Sequence, residues 1–177
     1  MRVRNHSVLW LALCLTCLAT YACTESKNQT AQPNINASSP TTAQGSLTPS
    51  AYKVEWTNPQ APPEMLAGRP YNVAASIKNV SDQAWPATAK DGGPFNLVAI
   101  GYHWLPAEGK EPIVWDGART PLPHDIAPGE TISLNNIRVV APTQTGSFRL
   151  QLSLLNEGVT WFEAHGANTL IIPVTVR

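Results

Sequence analysis

The chain of 177 residues is long enough for one domain with appended segments. Its 12 lysine and arginine residues balance its 12 aspartate and glutamate residues, so the formal net charge is zero. This balance argues against nucleic acid or an anionic membrane surface as a partner, because both need a basic surface. All cysteines (Cys14, Cys17 and Cys23) precede residue 24, so the rest of the chain cannot form a disulfide or a thiolate metal site.

A basic and then apolar segment opens the chain. Arg2 and Arg4 precede a largely apolar run over residues 8–23, which is the arrangement of an export signal. The run is shorter than the roughly 20 residues that a membrane-spanning helix needs, and an uncleaved N-terminal anchor is the alternative. We predict a signal peptide over residues 1–22.

The end of this run, residues 20–23, resembles the lipobox of bacterial lipoproteins, whose cysteine receives diacylglycerol after cleavage. Ala22 supplies the small residue before the cleavage point, so we predict lipidation of Cys23. Cleavage by an ordinary signal peptidase is the alternative, because residues 20–22 also approximate an Ala-x-Ala-like site. Residues 23–51 are mostly small and polar, which predicts a disordered tether. The protein is thus predicted to be exported and membrane-anchored, facing the periplasm or the cell exterior.

The clearest strand signal lies near the C-terminus. Phe148, Leu150, Leu152 and Leu154 alternate with polar residues, which is typical of a strand with one face in a core. Residues 156–158 interrupt the pattern before it resumes, which predicts a hairpin or a bulged bend. We predict that this is the central strand of an antiparallel β-sandwich.

The other predicted strands alternate in the same way. Apolar residues within 71–77 and 98–104 give each stretch one buried face, and a slip of the apolar phase at Asn135–Asn136 indicates a bulge. No stretch shows a helical period, and turn residues recur about every 8–12 residues. Residues 52–177 are therefore predicted to form an all-β, immunoglobulin-like antiparallel β-sandwich of seven to nine strands.

Several short motifs in this region follow one another in the order of a known module. They are Trp85-Pro86, Gly101-Tyr102-His103-Trp104, Arg119-Thr120-Pro121-Leu122-Pro123, Ala127-Pro128-Gly129-Glu130 and Glu157-Gly158-Val159-Thr160-Trp161-Phe162. They resemble a bacterial immunoglobulin-like module that is appended to glycosyltransferases and methyltransferases, and that is similar to the four-tryptophan domain of a selective autophagy receptor. The resemblance implies the fold and an accessory binding role, and it implies no catalytic residues.

The histidines of the domain do not form a recognisable metal site. His103, His124 and His165 could be combined with Asp125 and Glu163, but none has the spacing of a ligand motif such as His-Glu-x-x-His. We expect the three histidines to be solvent-facing loop residues. The sequence predicts no metal and no cofactor.

Paired carboxylates are the other candidate for catalysis. Asp116 with Glu108 or Glu111 could form the carboxylate pair of a glycosidase, but these residues surround a short loop, where such pairs are usually solvated charges. We therefore predict no catalytic residues.

The tryptophans are the most distinctive feature of the domain. Trp104 and Trp161 lie at or near predicted strands and are expected in the core, where aromatic side chains bury large areas. Trp115 lies beside an Asp-Gly turn and is expected to be partly exposed. Together with His103 and Arg119, it could stack on a sugar or dock a peptide, so these three residues are the candidate ligand-binding residues.

The sequence favours a membrane-tethered, non-catalytic binding or interaction module of the bacterial cell envelope. Its partner would be an envelope protein or glycan, bound by an edge strand or by end loops that contain Gly92–Gly93, Trp115 and His165. One alternative is a hydrolase of envelope glycans that uses Asp116 or Glu163. Another is a structural subunit of an envelope complex, which a large exposed apolar patch would favour.

Overall fold

Nine β-strands make up about half of the chain that the computed structural model describes, residues 47–88 and 96–177. In chain order they are β1 (Val54–Gln60), β2 (Glu64–Met65), β3 (Pro70–Asn79), β4 (Val98–Pro106), β5 (Thr120–Pro121), β6 (Thr131–Val140), β7 (Gly146–Asn156), β8 (Thr160–Trp161) and β9 (Leu170–Val176). The described residues also form two short 3₁₀ helices, Pro49–Ala51 and Phe162–His165, and no α-helix. Among these residues, no helix has the length and apolar character needed to cross a membrane.

Several of the sequence predictions concern residues outside this description. The signal peptide at residues 1–22, the lipidated Cys23, the tether as far as residue 46 and the loop residues Gly92–Gly93 all lie outside the described residues. The last part of the predicted tether is described, and there Leu47 and Ala51 are buried in the core. The packed core thus includes side chains that precede residue 52.

The strands form two sheets with the order of an immunoglobulin-like sandwich. One sheet has the order β1-β3-β6, and the other has the order β2-β9-β7-β4-β5 with β8 also paired to β7. All paired strands are antiparallel except β2 and β9. In immunoglobulin notation, the smaller sheet corresponds to strands A, B and E, and the centre of the larger sheet to strands G, F and C. The predicted all-β, immunoglobulin-like sandwich is confirmed.

Strand β7 has the central position that its alternation predicts. It lies between β9 and β4 in the larger sheet. The four side chains that were predicted to face the core are at most 8% exposed: Phe148, Leu150, Leu152 and Leu154. Burying one such leucine contributes roughly 1.5–3 kcal/mol. The predicted hairpin is also present, since Leu155 of β7 pairs with Trp161 of β8.

The predicted bulge lies in the smaller sheet. Val73 pairs with Ile137 and Ala75 pairs with Leu134, so a single residue of β3 lies opposite Asn135–Asn136 of β6. Two residues facing one is the definition of a β-bulge. The slip in apolar phase therefore located this irregularity correctly.

Candidate functional site

The candidate site lies on the outer face of the larger sheet. Tyr102 and Trp104 of β4 belong to the core, so His103 between them faces outward. His103 is nevertheless 0% exposed, because residues 112–117 and the 3₁₀ helix Phe162–His165 contribute side chains and backbone that contact it. The expectation that His103 is a solvent-facing loop residue is therefore wrong. The alternation of β4 directs the His103 side chain outward, and segments distant in the sequence cover it.

Both ring nitrogens of His103 have hydrogen-bond partners. Nδ1 donates to the backbone carbonyl of Trp115, and a carbonyl oxygen can only accept. Nε2 lies 2.8 Å from Oε1 of Glu163, and an ionised carboxylate also only accepts. Both polar atoms of this buried ring are therefore satisfied within the fold.

Glu163 connects His103 to the central strand. It lies in the 3₁₀ helix Phe162–His165, and Ser153 of β7 donates its Oγ–H to Oε2 of Glu163. Burial raises the pKa of Glu163, but the hydrogen bonds from His103 and Ser153 outweigh it, so the pKa of this carboxyl group lies below its ordinary value. The result is a mostly buried chain of charge-assisted hydrogen bonds across β4, β7 and the 3₁₀ helix.

Trp115 is exposed and held in position at the same time. Its ring stacks on the His103 ring, with 4.5 Å between centroids and an interplanar angle of 23°. It also meets Trp161 edge-on, with a centroid distance of 6.2 Å. The residue is 56% exposed. Because His103 occupies one face of the indole, the exposed surface belongs mainly to the opposite face and the rim.

Trp161 lies on the outer face of the sheet, and its predicted position in the core between the sheets is wrong. Its ring lies over Gly101 of β4, where an added Cβ would be 2.6 Å from Cη2 of Trp161 and 3.1 Å from Cδ2 of Leu155. The same ring lies 4.2 Å from the His103 ring, centroid to centroid. Trp104, in contrast, is fully buried in the core as predicted. The absence of a side chain at Gly101 is thus what allows Trp161 to lie against the sheet.

Arg119 borders the two tryptophans. Its Nη1 donates to the carbonyl of Gly117 at 2.7 Å, and its Nη2 lies 2.5 Å from Oδ1 of Asp116. Its Cζ lies 4.9 Å from the centroid of the Trp161 ring, which is a cation–π contact. Its Nε is 3.2 Å from Oε1 of Glu157 without hydrogen-bond geometry, so that contact is an electrostatic one. Arg119 therefore joins the cluster through Trp161.

The structure brings the three candidate ligand-binding residues into one cluster. We call the cluster the Trp115 platform and define it by five side chains: His103, Trp115, Arg119, Trp161 and Glu163. Sequence reasoning missed the structural role of Glu163 and the hydrogen bond from Ser153. The hydrogen bond between His103 and Glu163 spans 60 positions of the chain, so no local motif could have indicated it.

Within the Trp115 platform, the polar side chains are bonded to one another. Ser153 donates to Glu163 and not to His103, and His103 has no free ring nitrogen that could act as a general base. Asp116 is paired with Arg119, and Glu163 is paired with His103. Among the described residues, no group of three or more His, Cys, Asp and Glu side chains could hold a metal ion.

The other two histidines of the domain are exposed, as predicted. His124 lies 2.7 Å from Oε1 of Glu130, and this hydrogen bond is the largest cause that lowers the pKa of Glu130. His165 stacks on Tyr52, with 4.1 Å between the ring centroids. Neither histidine belongs to the Trp115 platform.

Two open concavities differ in their chemistry. A shallow one of about 210 Å³ adjoins the platform and is lined by Arg119 and by residues 155–161. A wider groove of about 680 Å³ is formed by residues of β1, β3 and β9 together with Asn135 and residues 61–62, and none of its lining side chains is titratable. The smaller concavity is therefore the one that lies next to charged and aromatic groups.

The chain matches no protein-family profile and no curated protein. Among solved structures, it is similar to the metal-bound CARDB domain of a Pyrococcus furiosus protein, with 13% identity and a TM-score of 0.40 over 76% of this chain and 97% of that chain. It is also similar to β-glucosidases from Listeria innocua (15% identity, TM-score 0.39) and Erythrobacter marinus (11% identity, TM-score 0.39). The matches cover 70% and 71% of this chain but only 16% and 15% of those enzymes. At such TM-scores these likenesses carry no argument about function, and the fold assignment rests on the strand order.

Proposed function

We propose that this protein is a non-catalytic binding module that a lipidated Cys23 holds at a bacterial membrane. The observation that carries the binding role is Trp115, which is 56% exposed although the ring beneath it, His103, is fully buried. Tryptophan is enriched among the residues that dominate binding energy at interfaces. An indole that is fixed before contact also loses little conformational entropy when a partner binds.

The hydrogen bonds around the platform support binding over catalysis. The ring nitrogens of His103 and both carboxylate oxygens of Glu163 are already occupied within the fold. They therefore hold Trp115 in position and are not available for proton transfer to a substrate. This argues against the alternative of a glycan hydrolase that uses Glu163.

The exposed apolar side chains bear on the other alternative, a structural subunit. In the described part of the chain, the large exposed apolar residues come from several separate segments: Leu66, Val80, Ile113, Trp115, Val140, Val159 and Ile171. An obligate subunit interface resembles a cut through a hydrophobic core. A single exposed tryptophan that its neighbours fix in place, with charged side chains nearby, fits a binding surface better than an obligate subunit interface.

The sequence of the leader supports the anchoring part of the proposal. Arg2, Arg4 and the apolar run before Cys23 have the order of an export signal. The several acyl chains of a lipoprotein anchor stably, unlike a single chain. A flexible tether as long as the one predicted over residues 23–51 would have a root-mean-square reach of roughly 30 Å. The sandwich would thus face the periplasm or the cell exterior at some distance from the bilayer.

Anchoring is tested by labelling with a palmitate analogue in a bacterial host. The full chain should carry the label and sediment with membranes, and the Cys23→Ala variant should lose both properties. Unlabelled parent protein, or label that persists in Cys23→Ala, would contradict lipidation at this position.

Binding is tested by capture from envelope fractions of the producing cell, with the full chain as bait. Trp115→Ala should retain less envelope material than the parent. Ile171→Ala is the matched control, because Ile171 is a 40% exposed apolar residue that lies on the same sheet in β9. Equal capture by the parent and Trp115→Ala would refute a binding role for the platform.

A further inference from the structure

The basic side chains of the Trp115 platform are paired within the protein. Arg119 is paired with Asp116, and His103 is paired with Glu163. Glu157 lies 3.2 Å from the Arg119 guanidinium and adds one further negative charge. Among the described residues of the platform, neither Arg119 nor His103 is left unpaired to attract a phosphate or another anion. Three carboxylates thus share two basic side chains, and this excess of negative charge disfavours an anionic ligand.

The rim of the platform is rich in hydrogen-bonding groups. The Asp116 side chain is 60% exposed and the Arg119 side chain is 28% exposed. A carboxylate can accept about four hydrogen bonds and a guanidinium can donate five, and the internal contacts of these two groups use only some of them. Asp116 follows Trp115 in the chain, and Arg119 contacts Trp161, which meets Trp115 edge-on, so the exposed indole has acceptors and donors nearby.

The size of the adjoining concavity limits what can bind. At about 210 Å³, it is smaller than the roughly 300–1,000 Å³ of sites for drug-sized ligands. A peptide strand or helix is recognised through a row of apolar anchors. Near the platform, the described large apolar side chains that are exposed besides Trp115 are Ile113 and Val159, and they belong to separate segments of the chain. The concavity beside Arg119 and Trp161 thus has the size of one small ring, and it adjoins Trp115 through Trp161.

Together these features point to one class of ligand. We propose, as a refinement that rests on the binding function above, that the Trp115 platform binds an uncharged saccharide ring of an envelope glycan. The C–H face of the sugar stacks on the open face of Trp115. Its hydroxyl groups, each a donor and an acceptor, bond to Asp116 and Arg119. A shallow site of this kind predicts weak affinity for a single ring and tighter binding of longer glycans.

The test is saturation-transfer NMR and calorimetry on the full chain, in a detergent that is not a glycoside. The probes are chitohexaose, cellohexaose and maltohexaose, with an oligogalacturonate as the anionic comparison. At least one uncharged hexaose should bind, and the oligogalacturonate should bind more weakly. Trp115→Ala should weaken binding at least tenfold, whereas Ile171→Ala should bind as the parent does.

Two further variants keep the test decisive if Trp115→Ala folds poorly. Trp115→Phe keeps an aromatic face and should retain part of the affinity, and Arg119→Gln removes a rim charge and should weaken binding. Three results would overturn the inference: no uncharged hexaose binds at 10 mM, the oligogalacturonate binds best, or the Trp115 variants bind normally. A dissociation constant of 10 mM corresponds to a binding free energy of about 2.7 kcal/mol in magnitude. If envelope capture still depends on Trp115 while the saccharides fail, the ligand class is wrong and the proposed binding function stands.

Discussion

Replacing Glu163 with alanine removes a hydrogen-bond partner of two buried groups at once. Nε2 of His103 and Oγ of Ser153 both bond to this carboxylate, and each of these two residues is 1% exposed or less. A hydrogen bond to a charged group contributes about 1.5–3 kcal/mol, so two would give about 3–6 kcal/mol. The Glu163 side chain is itself 20% exposed, and water can replace part of the loss. We expect Glu163→Ala to lower the free energy of unfolding by about 2–3 kcal/mol.

The conservative variant separates the hydrogen bonds from the charge. In Glu163→Gln, the amide can donate to Nε2 of a neutral His103 and accept from Ser153, so the expected loss is about 1 kcal/mol. Urea unfolding at pH 7, followed by far-UV circular dichroism, measures both variants against the parent. Glu130→Ala is the matched control, because its partner His124 is exposed, and surface ion pairs contribute little. Equal losses in Glu163→Ala and Glu130→Ala would refute the reasoning.

The pH dependence gives an independent check on Glu163. Its pKa in the folded protein lies below the ordinary value of 4.5. Its contribution to stability is therefore present in full above about pH 4.5 and is lost as the pH falls through the lower, folded value. The stability difference between the parent and Glu163→Gln should shrink below pH 4.5. A difference that grows on acidification would contradict the assignment.

Three further substitutions test the packing. Gly101→Ala forces the Trp161 ring away from β4 and should lower the free energy of unfolding by about 1–3 kcal/mol. The Tm should fall accordingly, and an unchanged Tm would show that the contact is loose. Leu152→Ala empties a fully buried position of β7 and should cost about 3–5 kcal/mol in urea unfolding, whereas a loss below about 1 kcal/mol would place Leu152 outside the core. Asn156 is 1% exposed, and neither its Oδ1 nor its Nδ2 has a hydrogen-bond partner within the described residues. Asn156→Leu should therefore unfold at the same or a higher urea concentration, and a clear decrease would reveal a missed partner.

The fold could be predicted because apolar and polar residues alternate along much of its longest strands. On β7, one face carries apolar side chains into the core, and this pattern identifies a strand without any knowledge of its neighbours. The bulge at Asn135–Asn136 was visible as a break in the same pattern. Strands β2, β5 and β8 have only two residues each, which is too few for any periodicity. Their existence depends on pairing partners that the sequence does not reveal.

The site was predicted only in part, for a related reason. Alternation on β4 indicates that His103 faces away from the core, but it says nothing about what covers the outer face. That cover comes from Trp115 and from Glu163, which lies 60 positions away. Trp161 was placed in the wrong layer because its strand is too short to show a phase. Its contact with Gly101 is a property of the tertiary structure.

The account depends most on Trp115 being exposed and yet fixed on His103. The ¹⁵N relaxation of the Trp115 indole N–H measures this directly, by comparison of the parent with His103→Ala. The account predicts an order parameter near the rigid-backbone value of about 0.85 in the parent and a clear decrease in the variant. A parent value below about 0.6, or no change on removing the His103 ring, would show that Trp115 is a mobile surface side chain and would contradict the account.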